Sequence, residues 1–132
     1  MTVPSFIDTD KNDQQRIDAV RKGLEFESFL NLRDALDIST DDLAGLLGIP
    51  RRTLSKRQKE GAFKLSESNS LSRISRVYQE TVSFFGNKED SLQWLKTPLP
   101  ALGSTPLNLL DTDPGADAVS VLLRQLAWGI YP

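Results

Sequence analysis

The sequence predicts an all-α fold, with a helix-turn-helix in its N-terminal part and a small helical C-terminal part. Three observations lead there. Apolar residues recur at intervals of three and four along most of the chain. No stretch alternates apolar and polar residues as a half-buried strand would. Gly, Asn, Asp and Pro fall between the apolar stripes, where helices start and stop. There is no internal repeat.

The first helix is expected over Asp13 to Lys22, with Ile17 and Val20 at helical spacing, Leu24 continuing the stripe and Gly23 as the stop. Phe26, Phe29, Leu30, Leu32, Ala35 and Leu36 form a second stripe that ends among the capping residues of positions 37–39. Thr40 is read as the cap of a third helix. Asp41 and Asp42 lie in its first turn, where the helix dipole favours negative charge, and Leu43, Ala44, Leu46 and Leu47 form its buried face. Gly48 permits a tight turn, Ile49 is an apolar anchor, and Pro50 opens a fourth helix that runs to Glu60 and stops at Gly61.

Ser66 is read as the cap of a long fifth helix with Leu71, Ile74, Val77, Tyr78, Val82 and Phe85 on one side, closing at Gly86. Asn87 caps a short helix with Leu92, Trp94 and Leu95. Positions 97–106 hold three of the seven prolines together with Gly103, which predicts an ordered connector before a short helix of Leu107, Leu109 and Leu110. Asp113 and Pro114 open the last helix. Its inward face is Val119, Leu122, Leu123 and Leu126, Trp128 lies on its side, and Gly129 releases a tail of Ile130, Tyr131 and Pro132. The expected division is residues 1–66 for the helix-turn-helix part and 67–132 for the C-terminal part.

Composition narrows the function classes. At 132 residues and 39% hydrophobic, the chain can fold around one core or as two small helical domains sharing an interface. It contains no Cys and no His, which removes disulfides, thiolate and His-assisted serine chemistry and the usual zinc ligands. No metal and no cofactor are expected. No run approaches the roughly 20 apolar residues of a membrane span, and no leader pattern opens the chain, so a cytoplasmic location is expected.

The net charge of −2 conceals a strong local asymmetry. Residues 51–64 carry +5, leaving −7 for the rest. A DNA-reading helix-turn-helix needs a small residue where its helices cross, a flexible turn, apolar pins and a second helix with a free outer face. Ala44, Gly48 and the pins Leu43, Leu47, Ile49 and Leu54 meet those needs. On the second helix Arg51, Arg52, Ser55, Lys56 and Lys59 share the outer face, with Arg51, Arg52 and Ser55 expected near bases and the lysines suited to phosphates. Arg57 stands where a third apolar pin is often found, so its stem must pack while its head reaches out.

At the other end, Trp128, Ile130 and Tyr131 place apolar and aromatic surface beside a chain end, with core and partner-anchor readings equally open. Asp111, Asp113 and Asp117 are the carboxylates from which an enzyme would have to be built. Asp113 and Asp117 sit where a helix N-terminus wants them, so no enzyme is expected.

Taken together, the motifs resemble a known family. The run Leu43-Ala44-Gly45-Leu46-Leu47-Gly48-Ile49-Pro50-Arg51-Arg52-Thr53-Leu54-Ser55, then Glu60-Gly61, Leu65-Ser66-Glu67-Ser68 and Phe85-Gly86, is similar to the helix-turn-helix half of Xre/MbcA/ParS-type antitoxins. Trp94-Leu95-Lys96-Thr97-Pro98, Ala101-Leu102-Gly103, Thr105-Pro106-Leu107, Leu109-Leu110-Asp111-Thr112, Gly115 and Gly129-Ile130-Tyr131-Pro132 resemble that family's toxin-binding domain. The resemblance spans residues 37–132. It departs from the family at Pro50, where serine is usual.

The resemblance implies the antitoxin of a type II toxin-antitoxin pair whose partner is a RES-domain toxin that consumes NAD. The cofactor would belong to the partner. Neutralisation would come from the last helix and tail, with Leu123, Leu126, Trp128, Ile130 and Tyr131 at the toxin's active-site cleft. The helix-turn-helix would repress the operon, as a homodimer on two half-sites and within a hetero-oligomeric complex. The alternative is a plain helix-turn-helix repressor whose C-terminal half only dimerises.

Overall fold

The computed structural model describes residues 13–129. Among these residues seven α-helices follow one another: α1 (Asp13–Lys22), α2 (Phe26–Leu36), α3 (Thr40–Leu47), α4 (Arg51–Glu60), α5 (Leu65–Phe85), α6 (Lys88–Leu95) and α7 (Asp113–Ala127), with a 3-10 turn at Leu107–Asp111 before the last. Among the described residues the only strand-like pairings are two isolated bridges, Glu25 with Ala62 and Leu99 with Ser104. The all-α expectation holds.

Most helix ends are set by the residues expected to set them. Gly48 closes α3 at φ 68°, a left-handed conformation that costs other residues a Cβ clash, and so lets the chain reverse at once into α4. Asn87 accepts the Asp90 N–H at 2.8 Å and caps α6, and α7 opens at Asp113 and Pro114 as expected, capped by a residue not singled out from the sequence, Thr112, which accepts the Gly115 N–H at 3.1 Å. Two caps differ from expectation. Ser39, not Thr40, accepts the Asp42 N–H at 3.0 Å, while Thr40 is already helical and takes a hydrogen bond from Arg33 at 3.1 Å. Ser66 lies inside α5, whose first turn is held instead by Glu67, accepting the Lys64 N–H at 2.9 Å. The first helix also differs, because Ile17 is exposed and the buried residue of its stripe is Leu24, beyond the helix end.

α5 organises the rest. It packs against α1, α2, α3, α6, α7 and the 3-10 turn, and its Leu71, Ile74, Val77 and Tyr78 are completely buried. One continuous apolar core runs from Leu24 through the pins Leu43, Leu47, Ile49 and Leu54 to Leu110, Val119 and Leu123. The helix-turn-helix and the C-terminal helices therefore share a core. Buried hydroxyls on α5 are satisfied locally or usefully: Ser75 and Thr81 donate to carbonyls four residues back, and Ser68 accepts the Leu24 N–H at 2.9 Å.

Two arginine contacts lock α7 and the turn before it onto α5. Arg73 donates to the Leu110 carbonyl at 3.3 Å and to Asp113 at 2.8 Å. Gly115 completes the joint by close approach: a Cβ there would lie 2.0 Å from the Leu109 carbonyl oxygen. Gly115→Ala is expected to lower stability by about 1–3 kcal/mol, since backbone, not a flexible side chain, would have to move. Thermal unfolding checks this, and an unchanged melting midpoint would show that the joint is looser than described.

Candidate functional site

α4 begins immediately after the Gly48 turn, and its orientation is fixed from beneath. Leu54 is buried, Thr53 and Arg57 are partly buried, and the Ile49 N–H bonds the Ala44 carbonyl at 2.9 Å, which ties the turn to α3. Arg51, Arg52, Ser55, Lys56 and Lys59 are all exposed, so the structure brings the five sequence-selected residues onto one free face. At about 100° per residue, Arg52, Ser55 and Lys59 occupy its centre and Arg51 and Lys56 its flanks. Gln58, which the sequence reading did not select, is also exposed on the Arg51 side. Its amide has the donor and acceptor geometry that matches an adenine edge.

The face is not uniformly free. Arg51 donates to Asp41 of α3 at 2.6 Å, a fully solvated pair with side chains 78% and 66% exposed. That hydrogen bond, with the charge of Asp41, raises the Arg51 guanidinium above its ordinary value. Exposed pairs of this kind are weak and exchange readily for a stronger acceptor, such as a phosphate or a guanine edge.

Arg57 corrects the sequence expectation. Its head does not reach out to solvent. It turns inward to form a two-pronged ion pair with Glu67 of α5, at 2.7 and 3.1 Å, and contacts Glu60 at 3.0 Å. The side chains of Arg57 and Glu67 are only 11% and 14% exposed, so a charge pair occupies the place of an apolar pin and fastens α4 to α5. Arg57 is raised by its Glu67 hydrogen bond against the effect of burial, with Glu60 adding to the rise. Burial alone would push the Glu67 carboxyl up. The Arg57 hydrogen bonds, the Lys64 N–H and the charges of both residues outweigh it and hold the carboxyl below the usual carboxylate range.

The sign of the pH effect follows. A carboxyl whose folded value is depressed stabilises the fold above its unfolded value, and that contribution is lost as pH falls through the folded value. Arg57 stays charged throughout, so in the Arg57–Glu67 pair the carboxyl is the member that titrates. The melting midpoint of Glu67→Gln should lie below that of the native chain at neutral pH and converge with it below the carboxylate range. A gap that persists unchanged into acid would contradict the clamp.

The C-terminal residues separate into two groups. Trp128 is 81% exposed at the end of α7, and Leu126 is partly buried. Leu123 is 4% exposed and belongs to the core, so its side chain is engaged within the chain. Ile130 and Tyr131 lie outside the described residues. Of the three carboxylates considered for catalysis, Asp113 pairs with Arg73 and opens α7. Among the described residues no group of acidic side chains could hold a metal, and no helix is long and apolar enough to cross a membrane.

Comparison with known proteins bears on both regions. Residues 15–77 match the family model of the Antitoxin Xre-like helix-turn-helix domain, and residues 82–129 match that of the Antitoxin Xre/MbcA/ParS C-terminal toxin-binding domain. A curated Antitoxin Xre of Yersinia enterocolitica is 30% identical over 118 residues, covering 87% of this chain and 80% of the relative. The chain belongs to the Xre antitoxin family. An Antitoxin Xre of Photorhabdus laumondii is 37% identical over 92 residues, covering 67% of this chain and 62% of that protein. One of Pseudomonas putida is 31% identical over 83 residues, covering 61% of this chain and 52% of the relative. In this Xre-family chain the two matched regions meet inside α5, between residues 77 and 82, whereas the boundary expected from sequence, at 66/67, falls in its first turn.

Proposed function

We propose that this Xre-family chain is the antitoxin of a type II toxin-antitoxin pair, with two separate working surfaces. The observation that carries the reading is the presence in one chain of an Xre-like helix-turn-helix and an Xre/MbcA/ParS toxin-binding domain, with the outer face of α4 free and basic. α4 enters the major groove of operator DNA. Arg51, Arg52 and Ser55 reach base edges while Lys56 and Lys59 hold phosphates, and binding to two half-sites as a homodimer supplies specificity.

The partner in this reading is a RES-domain toxin that consumes NAD. The last helix and the tail, residues 123–131, cover its active-site cleft with Trp128, Ile130 and Tyr131 as anchors. Trp128 supports the assignment, because a tryptophan 81% exposed at a helix end offers a large apolar surface that the described residues leave uncovered. Leu123 and Leu126 act by holding the shape of α7 as well as by contact. Binding protein and DNA is the whole of the chain's activity, in the cytoplasm of the host cell.

Co-expression with the adjacent open reading frame tests the reading. The neighbour alone should deplete cellular NAD and arrest growth, and this chain should restore both and co-purify with it. A toxic neighbour that leaves NAD intact would remove the RES assignment. A harmless neighbour that never co-purifies would leave a helix-turn-helix repressor whose C-terminal half only dimerises.

A further inference from the structure

A groove of about 700 Å³ lies between α1, α5 and α7. Phe84, Leu123 and Ala127 give it an apolar surface, and Phe84 remains 39% exposed. Around them stand Arg16 from α1, Arg76 from α5 and Arg124 from α7, against the single carboxylate of Glu80. Arg76 meets Glu80 only at 4.0 Å, with both side chains solvated. The Nε of Arg16 is buried and has no hydrogen-bond partner, and Arg124 makes no ion pair among the described residues. Outside residues 51–64 the sequence carries −7, so three arginines on one groove are a concentration of positive charge in an otherwise acidic remainder.

We infer that this groove receives an acidic amphipathic segment of the toxin partner, one that presents an apolar side chain flanked by carboxylates. The inference rests on the toxin-binding reading above and gives that surface its chemistry. Charge complementarity names the occupant: three guanidiniums around an apolar surface match carboxylates beside an apolar side chain, and Arg side chains prefer planar, two-pronged acceptors. Position agrees with it. Leu123, Arg124 and Ala127 lie on α7 immediately before the exposed Trp128, so a partner seated on the helix end extends directly over the groove. A second copy of this chain would bring the same arginines and meet like charge. A nucleic-acid backbone would satisfy the arginines but leave the exposed Phe84 unmatched.

The test compares the full-length chain with Arg76→Glu/Arg124→Glu, using the protein encoded by the adjacent gene as the probe in titrations at low and high salt. The expected result is a loss of toxin affinity of about tenfold or more at low salt, with a weaker salt dependence than the native chain shows. Melting midpoint, operator affinity and the mass of the free chain should stay unchanged. Arg76→Lys/Arg124→Lys should lose less affinity than the charge-reversed pair, because the charge stays while the two-pronged geometry goes, an ordering that a merely unfolded variant could not explain. Native toxin affinity in the charge-reversed chain would overturn the inference and leave the antitoxin reading standing. A native chain that does not bind the neighbour would remove both. A changed mass of the free chain would assign the groove to a second copy, and weakened operator binding would assign it to phosphate. Either result would overturn the proposal.

Discussion

Replacing Arg51 and Arg52 together with alanine is expected to weaken operator binding by about 5- to 150-fold for each arginine that reaches a base edge, while leaving toxin binding intact. Both side chains are exposed and neither supports the core, so the effect should fall on recognition alone. Arg52, at the centre of the face, should account for more of the loss than Arg51, which must first leave Asp41. The two lysines should behave differently. Lys56→Ala or Lys59→Ala should weaken binding to all sequences alike and lower the salt slope by about 1. A gel-shift titration on the operator and on an unrelated duplex, at two salt concentrations, separates these patterns. Native affinity in the double arginine variant would remove α4 as the reading helix.

Trp128→Ala is expected to weaken the complex with the toxin by at least about 30-fold, the scale of an aromatic hot spot. It should change stability by no more than about 0.5 kcal/mol, because the indole is 81% exposed. That contrast makes Trp128 a cleaner probe than its neighbour Leu123. Leu123 is 4% exposed, and its truncation to alanine would cost about 2–5 kcal/mol of folding stability before any partner is considered. A calorimetric titration beside a thermal melt distinguishes the two substitutions. A Trp128→Ala chain that binds the toxin normally would place the decisive contacts elsewhere on the C-terminal half.

Much of this was legible in the sequence because it is local. The stripe Leu43, Ala44 and Leu47, the Gly48 turn and the pins Ile49 and Leu54 are short-range features, and the basic face of α4 follows from helical spacing alone. The caps were less legible where two suitable residues stand side by side: Ser39 and Thr40 both carry hydroxyls, and only backbone geometry decides which one caps. Ser66 misled for a related reason, since Glu67 reaches back to the Lys64 N–H and starts α5 two residues earlier. Arg57 was recognisable as an anomaly, but its partner Glu67 is ten residues away across the Gly61 turn, a pairing that spacing does not reveal. The arginine groove was not legible at all, because Arg16, Arg76 and Arg124 come together only when α1, α5 and α7 pack.

The most direct test of the central claim is growth of cells expressing the adjacent gene together with either the full-length chain or a chain ending at Gly129. The account predicts rescue by the full-length chain and arrest with the shortened one, although both repress the operon. Equal rescue by the two would contradict it, since neutralisation would then need nothing of Ile130, Tyr131 and Pro132.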